Sequence, residues 1–144
     1  MRTFFLLLFL FPLLTWGQKE MFNSNIQSTF SFYLRETGQQ NNPYNLRFFW
    51  PDSSAFPNCK NWGSDGFGVI TNQKSIFVFG YTDQALENGV YDLLQRKFGF
   101  EYYQAEAVQV PSKLPKTFAY DKYESIPAFN YREVFYGETR RSGF

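Results

Sequence analysis

The chain has 144 residues, 14 basic side chains against 13 acidic ones, one cysteine and no histidine. That length holds one domain with a real core, burying about two thirds of its unfolded surface. The balance excludes a basic nucleic-acid footprint, a polybasic membrane patch, an internal disulfide, and every Ser–His, Cys–His or histidine–zinc site.

The chain opens with Arg2 and an apolar run, Phe4 to Leu14, broken by Pro12 and followed by Thr15-Trp16-Gly17. A charged start, an apolar centre and small residues at the two positions a peptidase reads make a signal-peptide pattern over residues 1–17. The run falls short of the roughly 20 apolar residues that span a bilayer. No polar face interrupts it, as one would in a buried amphipathic helix. Export to a periplasmic or extracellular space is expected, with no membrane contact after cleavage. Cleavage removes one of the 14 basic groups and leaves them level with the 13 acidic ones.

Asn25 to Gln40 carries Ile26, Phe30, Tyr33 and Leu34 at i, i+4, i+7 and i+8, which predicts a helix ending near Gly38. Ser28, Thr29 and Thr37 are mediocre residues for it. Gln39 to Tyr44 reads as a polar loop. Asn45 to Trp50 reads as a short strand that Pro51 ends. Pro51 to Asp65, rich in Pro, Ser, Asn and Gly, reads as a loop without a regular element; loops of that length are often functional or mobile. Gly66 to Thr71 and Ser75 to Gly80 form an expected antiparallel hairpin across a three-residue turn, Asn72-Gln73-Lys74.

A second helix is predicted over Thr82 to Phe98, with Thr82 as its cap, Asp83 at the positive end of its dipole, and Gly99 just beyond its last turn. Leu86, Val90, Leu93 and Leu94 share one face. With Gly89, Tyr91 and Phe98 the apolar arc widens to about 200°, where roughly 100° suffices to face one core. Two readings of that width stand. Tyr91, Leu94 and Phe98 form a docking face for a second body, or they lap over the edge of the domain. Gly89 costs about 1 kcal/mol against Ala in a helix, which a close approach to a strand would justify. Phe100 to Tyr103, Ala105 to Val110, Thr117 to Tyr120 and Ser125 to Tyr136 read as further extended segments.

Nineteen Phe, ten Tyr and three Trp are the unusual feature of the composition. Most of the Phe belong to an ordinary core. Trp50, Trp62, Tyr102 and Tyr103 are the better surface candidates, where a ring stacks on a sugar face. Cys59 is a buried inert thiol or one end of an intermolecular bridge. Glu101, Glu106 and Asp121 read as ordinary surface acids, and no carboxylate pair suits glycosidic chemistry. No phosphate-cradling, metal-spaced or nucleic-acid motif is present, so no catalytic residue, cofactor or metal is assigned.

The run FGYTDQALENGVYDLLQRKFGFEYYQ, followed by IPAFNYREVFY, resembles the N-terminal α/β domain of large exported glycan-processing proteins. These are related to the α-glucuronidases of glycoside hydrolase family 67 and, more distantly, to the second domain of β-hexosaminidases. The matching pieces are a strand ending in Gly with a following Thr, an internal Gly-x-Tyr in the helix, Phe98 to Tyr103, and Pro127, Phe129, Tyr131, Arg132 and Glu133. The likeness covers about Gly66 to Tyr136. It implies an α+β fold: a mixed, mostly antiparallel sheet with two helices packed on one face, over residues 18–124. It also implies that the helices dock against a catalytic (β/α)8 barrel, of which residues 125–144 hold only the start, with the first strand near Tyr131 to Tyr136, and an extended tail. The barrel would then be the missing partner, a glycan the shared ligand, and this chain a fragment inactive alone. Arg132 matches an arginine that holds sugar hydroxyls through its fork of donors; the plainer account pairs it with Glu133 or Glu138. The competing expectation is a free-standing secreted carbohydrate- or protein-binding module that uses exposed aromatics and the Pro51 to Asp65 loop. An enzyme acting alone lacks the residues it needs.

Overall fold

The computed structural model describes residues 19–104 and 107–126, with side chains outside 102–107. Residues 1–17 and the expected barrel strand near Tyr131 to Tyr136, Arg132 included, lie outside this set. In chain order the elements are β1 (Glu20–Met21), α1 (Ser24–Glu36), β2 (Asn45–Phe49), β3 (Phe67–Gln73), β4 (Ser75–Gly80), α2 (Asp83–Leu93), β5 (Glu101–Gln104), β6 (Ala107–Gln109) and β7 (Phe118–Ser125). Five strands form one sheet in the order β1-β2-β4-β3-β7, and β5 and β6 make a separate ribbon. Within the main sheet β2 and β4 run parallel while the other neighbours are antiparallel. The fold is α+β with a mixed, mostly antiparallel sheet, as the sequence implied.

Both helices start where a side chain satisfies an orphan amide. The Asn23 carboxamide oxygen accepts from the Ile26 amide at 3.1 Å, and the Thr82 hydroxyl accepts from the Ala85 amide at 3.0 Å. The expected faces are the buried ones: Ile26, Phe30 and Leu34 in α1, and Leu86, Val90 and Leu93 in α2. The last turn of the second helix, Leu94–Phe98, widens to π geometry before Gly99 turns the chain at φ 82°.

Side chains alternate across the sheet, as the pleat requires. Leu46 and Phe48 of β2, Phe67 and Val69 of β3, and Ile76 and Val78 of β4 face the two helices in one core. Gly89 brings α2 against the sheet: a Cβ there would lie 2.7 Å from the Val78 Cγ1. The close approach considered from the sequence is therefore present.

Phe49, Ile70 and Phe79 point to the other face, where Ala55, Phe56, Cys59 and Trp62 cover them. This corrects the reading of Pro51 to Asp65. The segment has a short 3₁₀ turn, Cys59–Asn61, and is a packed third layer. Asp52 starts it: its carboxylate accepts from the Ser54 amide, and its carbonyl accepts from the Ala55 and Phe56 amides. Successive turns then carry the Cys59, Trp62 and Gly66 amides to earlier carbonyls. Backbone groups are satisfied locally, so an irregular segment can be buried.

Two smaller expectations also change. The β3–β4 connection is two residues, since Asn72 pairs with Ser75, and Gln73 takes the left-handed conformation at φ 53°. The extended run at Thr117 to Tyr120 is part of one strand of eight residues, Phe118–Ser125, bent by an irregularity opposite Thr71 and Gln73. Its charges hid it, and they are used on both faces. Asp121 pairs with Lys97 on the helix side. Lys122 donates to the Ala55 carbonyl at 3.0 Å, and Glu124 accepts from the Trp62 indole at 2.7 Å, both on the loop side.

Candidate functional site

The expected docking face is mostly internal. Leu94 is fully buried and Phe98 is 3% exposed. Phe98 meets Phe30, Tyr44 and Phe118 edge-on at centroid separations of 5.6, 4.9 and 5.2 Å. The broad apolar arc is thus explained within the chain: the second helix is covered by the sheet, by α1 and by the start of β7. Of the three residues only Tyr91 reaches the surface, half-buried. Its ring lies edge-on to Tyr33 at 5.9 Å, and Tyr33 lies edge-on to Phe32 at 5.5 Å. Phe32 is 51% exposed. The aromatic surface at the seam of the two helices is therefore Phe32, Tyr33 and Tyr91. Burial first, and then the neighbouring Tyr33, push the Tyr91 hydroxyl up to about 12.

The sequence candidates for exposed aromatics divide. Trp50 is at the surface, near Tyr81 at 6.3 Å. Trp62 is 1% exposed and is a core residue, because its indole N–H finds the Glu124 carboxylate. The side chains of Tyr102, Tyr103 and Glu106 lie outside those described. Cys59 is a free, buried thiol, with the Tyr81 hydroxyl 3.8 Å from its sulfur. Asp121 is ion-paired, and the hydrogen bond from Lys97 holds its carboxyl below the usual range. Among the described residues no group of three or more potential metal ligands gathers. None of their helices is long and apolar enough to cross a membrane.

The cavity of note lies elsewhere. A groove of about 420 Å³ runs between the polar side of α1 and the chain that follows Gly38. A second hollow of about 230 Å³ shares Gln27, Ser31 and Asn42 with it and reaches β2. Gln27, Ser31, Gln39, Gln40 and Asn42 supply amides and a hydroxyl, and among the described residues Arg35 is the only charged side chain lining either part. Leu34 lies in the first hollow, and Phe30 and Tyr44 in the second. The walls are tied down. The Gln27 amide donates to the Leu46 carbonyl at 3.4 Å, Asn42 accepts from the Tyr44 amide at 2.9 Å, and the Tyr44 hydroxyl donates to the Pro115 carbonyl. Sequence reading passed over this groove. Its signals were the Ser and Thr residues in α1, poor for a helix, and the amide run Gln39 to Asn42, which reads as loop.

Comparison with family models, curated proteins and solved structures gives no match to this chain.

Proposed function

We propose that this chain is a non-catalytic accessory domain of an exported, glycoside-hydrolase-like protein, one that buttresses a catalytic (β/α)8 barrel and handles glycan beside it. The resemblance over Gly66 to Tyr136 supports the class. The structural observation that carries the reading is the pair of helices on one face of the sheet, with Phe32, Tyr33 and Tyr91 set along their outer seam. Phe32 is exposed and Tyr33 and Tyr91 are half-buried beside it, and an aromatic patch of this kind suits a surface that another body covers. The docking face is thus moved outward from Leu94 and Phe98 to this seam. Arg132 remains the proposed sugar-hydroxyl contact at the start of the barrel strand.

The test is association of the purified chain. It should bind a hydrophobic dye and self-associate with rising concentration in sedimentation, and Phe32→Ser should reduce both. A monomer that binds no dye, or hydrolysis of aryl glycosides by the purified chain, overturns the reading.

A second reading is favoured by one observation, the burial of Leu94 and Phe98 by the chain's own residues. A helix arc satisfied internally suits a free-standing secreted module that binds carbohydrate or protein. Specific glycan binding by a monomer would select it.

A further inference from the structure

The groove beside α1 has the chemistry of a ligand site, and we infer that it binds a neutral oligosaccharide. This deepens the reading above by naming the chain's own glycan contact, and it rests on that reading for the ligand class alone. Three features argue for it.

The first is composition. Sugar hydroxyls both donate and accept, so they are matched by amides and hydroxyls, which do the same. Gln27, Ser31, Gln39, Gln40 and Asn42 present such groups into one space. Among the described residues no carboxylate lines the groove, which argues against a cationic ligand. Arg35 forms no ion pair among the described residues, and its planar fork suits two neighbouring hydroxyls as well as one anion. A single cation among so many neutral groups does not make an anion site.

The second is amphipathicity. A pyranose has apolar C–H faces and a polar rim. Leu34, Phe30 and Tyr44 are buried beneath the groove, so the apolar surface it offers a sugar face is that of the aliphatic stems of Gln27, Gln39, Gln40 and Arg35. Its larger part, about 420 Å³, falls within the range of about 300–1,000 Å³ usual for small-molecule sites.

The third is rigidity. Gln27 and Asn42 are held by backbone hydrogen bonds to β2 and Tyr44, and Tyr44 is packed between Phe98 and Phe118. Polar groups held in place cost less to order when a ligand arrives. Gln39 and Gln40 form the opposite rim beyond the last turn of α1, where Gly38 at φ 82° turns the chain, while Arg35 lies one turn on from Ser31 and two from Gln27 on the α1 wall.

The experiment is an amide-resolved NMR titration of the full chain with neutral hexasaccharides of the β-1,4-glucan, β-1,4-xylan and α-1,4-glucan series. A Gln/Asn/Ser hexapeptide is run in parallel. At least one saccharide should shift resonances of α1 and residues 39–46, saturating with a Kd near or below about 1 mM. Arg35→Ala on the α1 wall and Gln39→Ala on the rim should each weaken binding about tenfold while leaving the remaining spectrum folded. Phe32→Ser should leave saccharide binding intact. No saturating shift with any saccharide, shifts confined to the aromatic seam or the Pro51 to Asp65 face, or binding of the peptide alone overturns the inference. Dye binding and association would survive that failure, so the groove and the docking seam fall separately.

Discussion

The two faces of the central sheet are covered by different means. On one side α1 and α2 lie against Leu46, Phe48, Val69, Ile76 and Val78, and their own apolar residues recur at helical spacing. On the other, a stretch with almost no regular structure brings Phe56 and Trp62 against β3, where Gly68 leaves room: a Cβ there would meet both rings at 2.6 Å. The helical cover satisfies its backbone by its own ladder, so it needs only an apolar stripe. The irregular cover must satisfy each amide by a separate turn, and it is held by side-chain bonds to the edge strand β7. One cover is therefore robust to loss of a polar contact, and the other depends on a few of them.

Substitutions can break that contrast. The largest effect is expected at Phe98→Ala, which empties the junction of Phe30, Tyr44 and Phe118. Loss of about 3–5 kcal/mol by urea denaturation is expected for a buried aromatic. A loss under about 1 kcal/mol would return Phe98 to the surface role that its sequence position suggested. Next is Glu124→Ala, which leaves the Trp62 indole N–H buried without its acceptor. A cost of about 1–3 kcal/mol follows. Proteolysis should then cut first within residues 52–61, while the helical side keeps its amide-exchange protection. Global unfolding with no local step would show that the two covers are one cooperative unit.

Gly89→Ala tests the tight side. Helix propensity favours Ala by about 1 kcal/mol, but the new methyl would stand 2.7 Å from Val78, a stiff β-branched residue. Overpacking costs about 1–3 kcal/mol, so thermal unfolding should show a net loss. A gain would mean that the helix can lift off the sheet.

Near neutral pH the smallest effects are those of the titrating groups, which act only towards the acid and alkaline ends. Burial raises the folded-state pKa of Tyr91 to about 12, and burial reinforced by the Asp92 charge raises that of Tyr123. Both stay protonated in the fold where the unfolded chain releases protons. Their contribution is complete below about pH 10 and is lost as pH rises towards the folded values. Tyr91→Phe should flatten that alkaline fall. The carboxyls of Glu20 and Asp121 are lowered chiefly by hydrogen bonds from Arg47 and Lys97. Their contribution is present above the usual carboxylate range, about pH 4, and is lost as pH falls through the lowered values. Both pairs are partly exposed, so each contributes less than about 1 kcal/mol. Glu20→Gln should barely move the midpoint.

How much was legible follows the same division. Ile26, Phe30 and Leu34, and Leu86, Val90 and Leu93, announce their helices by period, and Thr82 announces a start. β3 and β4 announce themselves by β-branched and aromatic residues. Trp62 and Phe56 announce nothing, because their burial depends on turns at Asp52 and Cys59 and on an acceptor, Glu124, 62 residues further along the chain. β7 was hidden for a related reason: its Asp121, Lys122 and Glu124 look like a solvated surface until their partners on both layers are seen. The groove was hidden because amides in a helix face and in a loop become a site only when Gly38 folds one against the other.

Local order in this protein, meaning where helices and strands begin and which stripe of each turns inward, was written in residue spacing and capping chemistry, because those are interactions between near neighbours. Tertiary structure alone decided that Ala55, Phe56, Cys59 and Trp62 of the long irregular segment are core, that Phe98 is sealed by its own chain, and that the amides of α1 and residues 39–42 share one groove. Each of those outcomes requires groups distant in sequence to meet, and a one-dimensional pattern carries no information on which of them do.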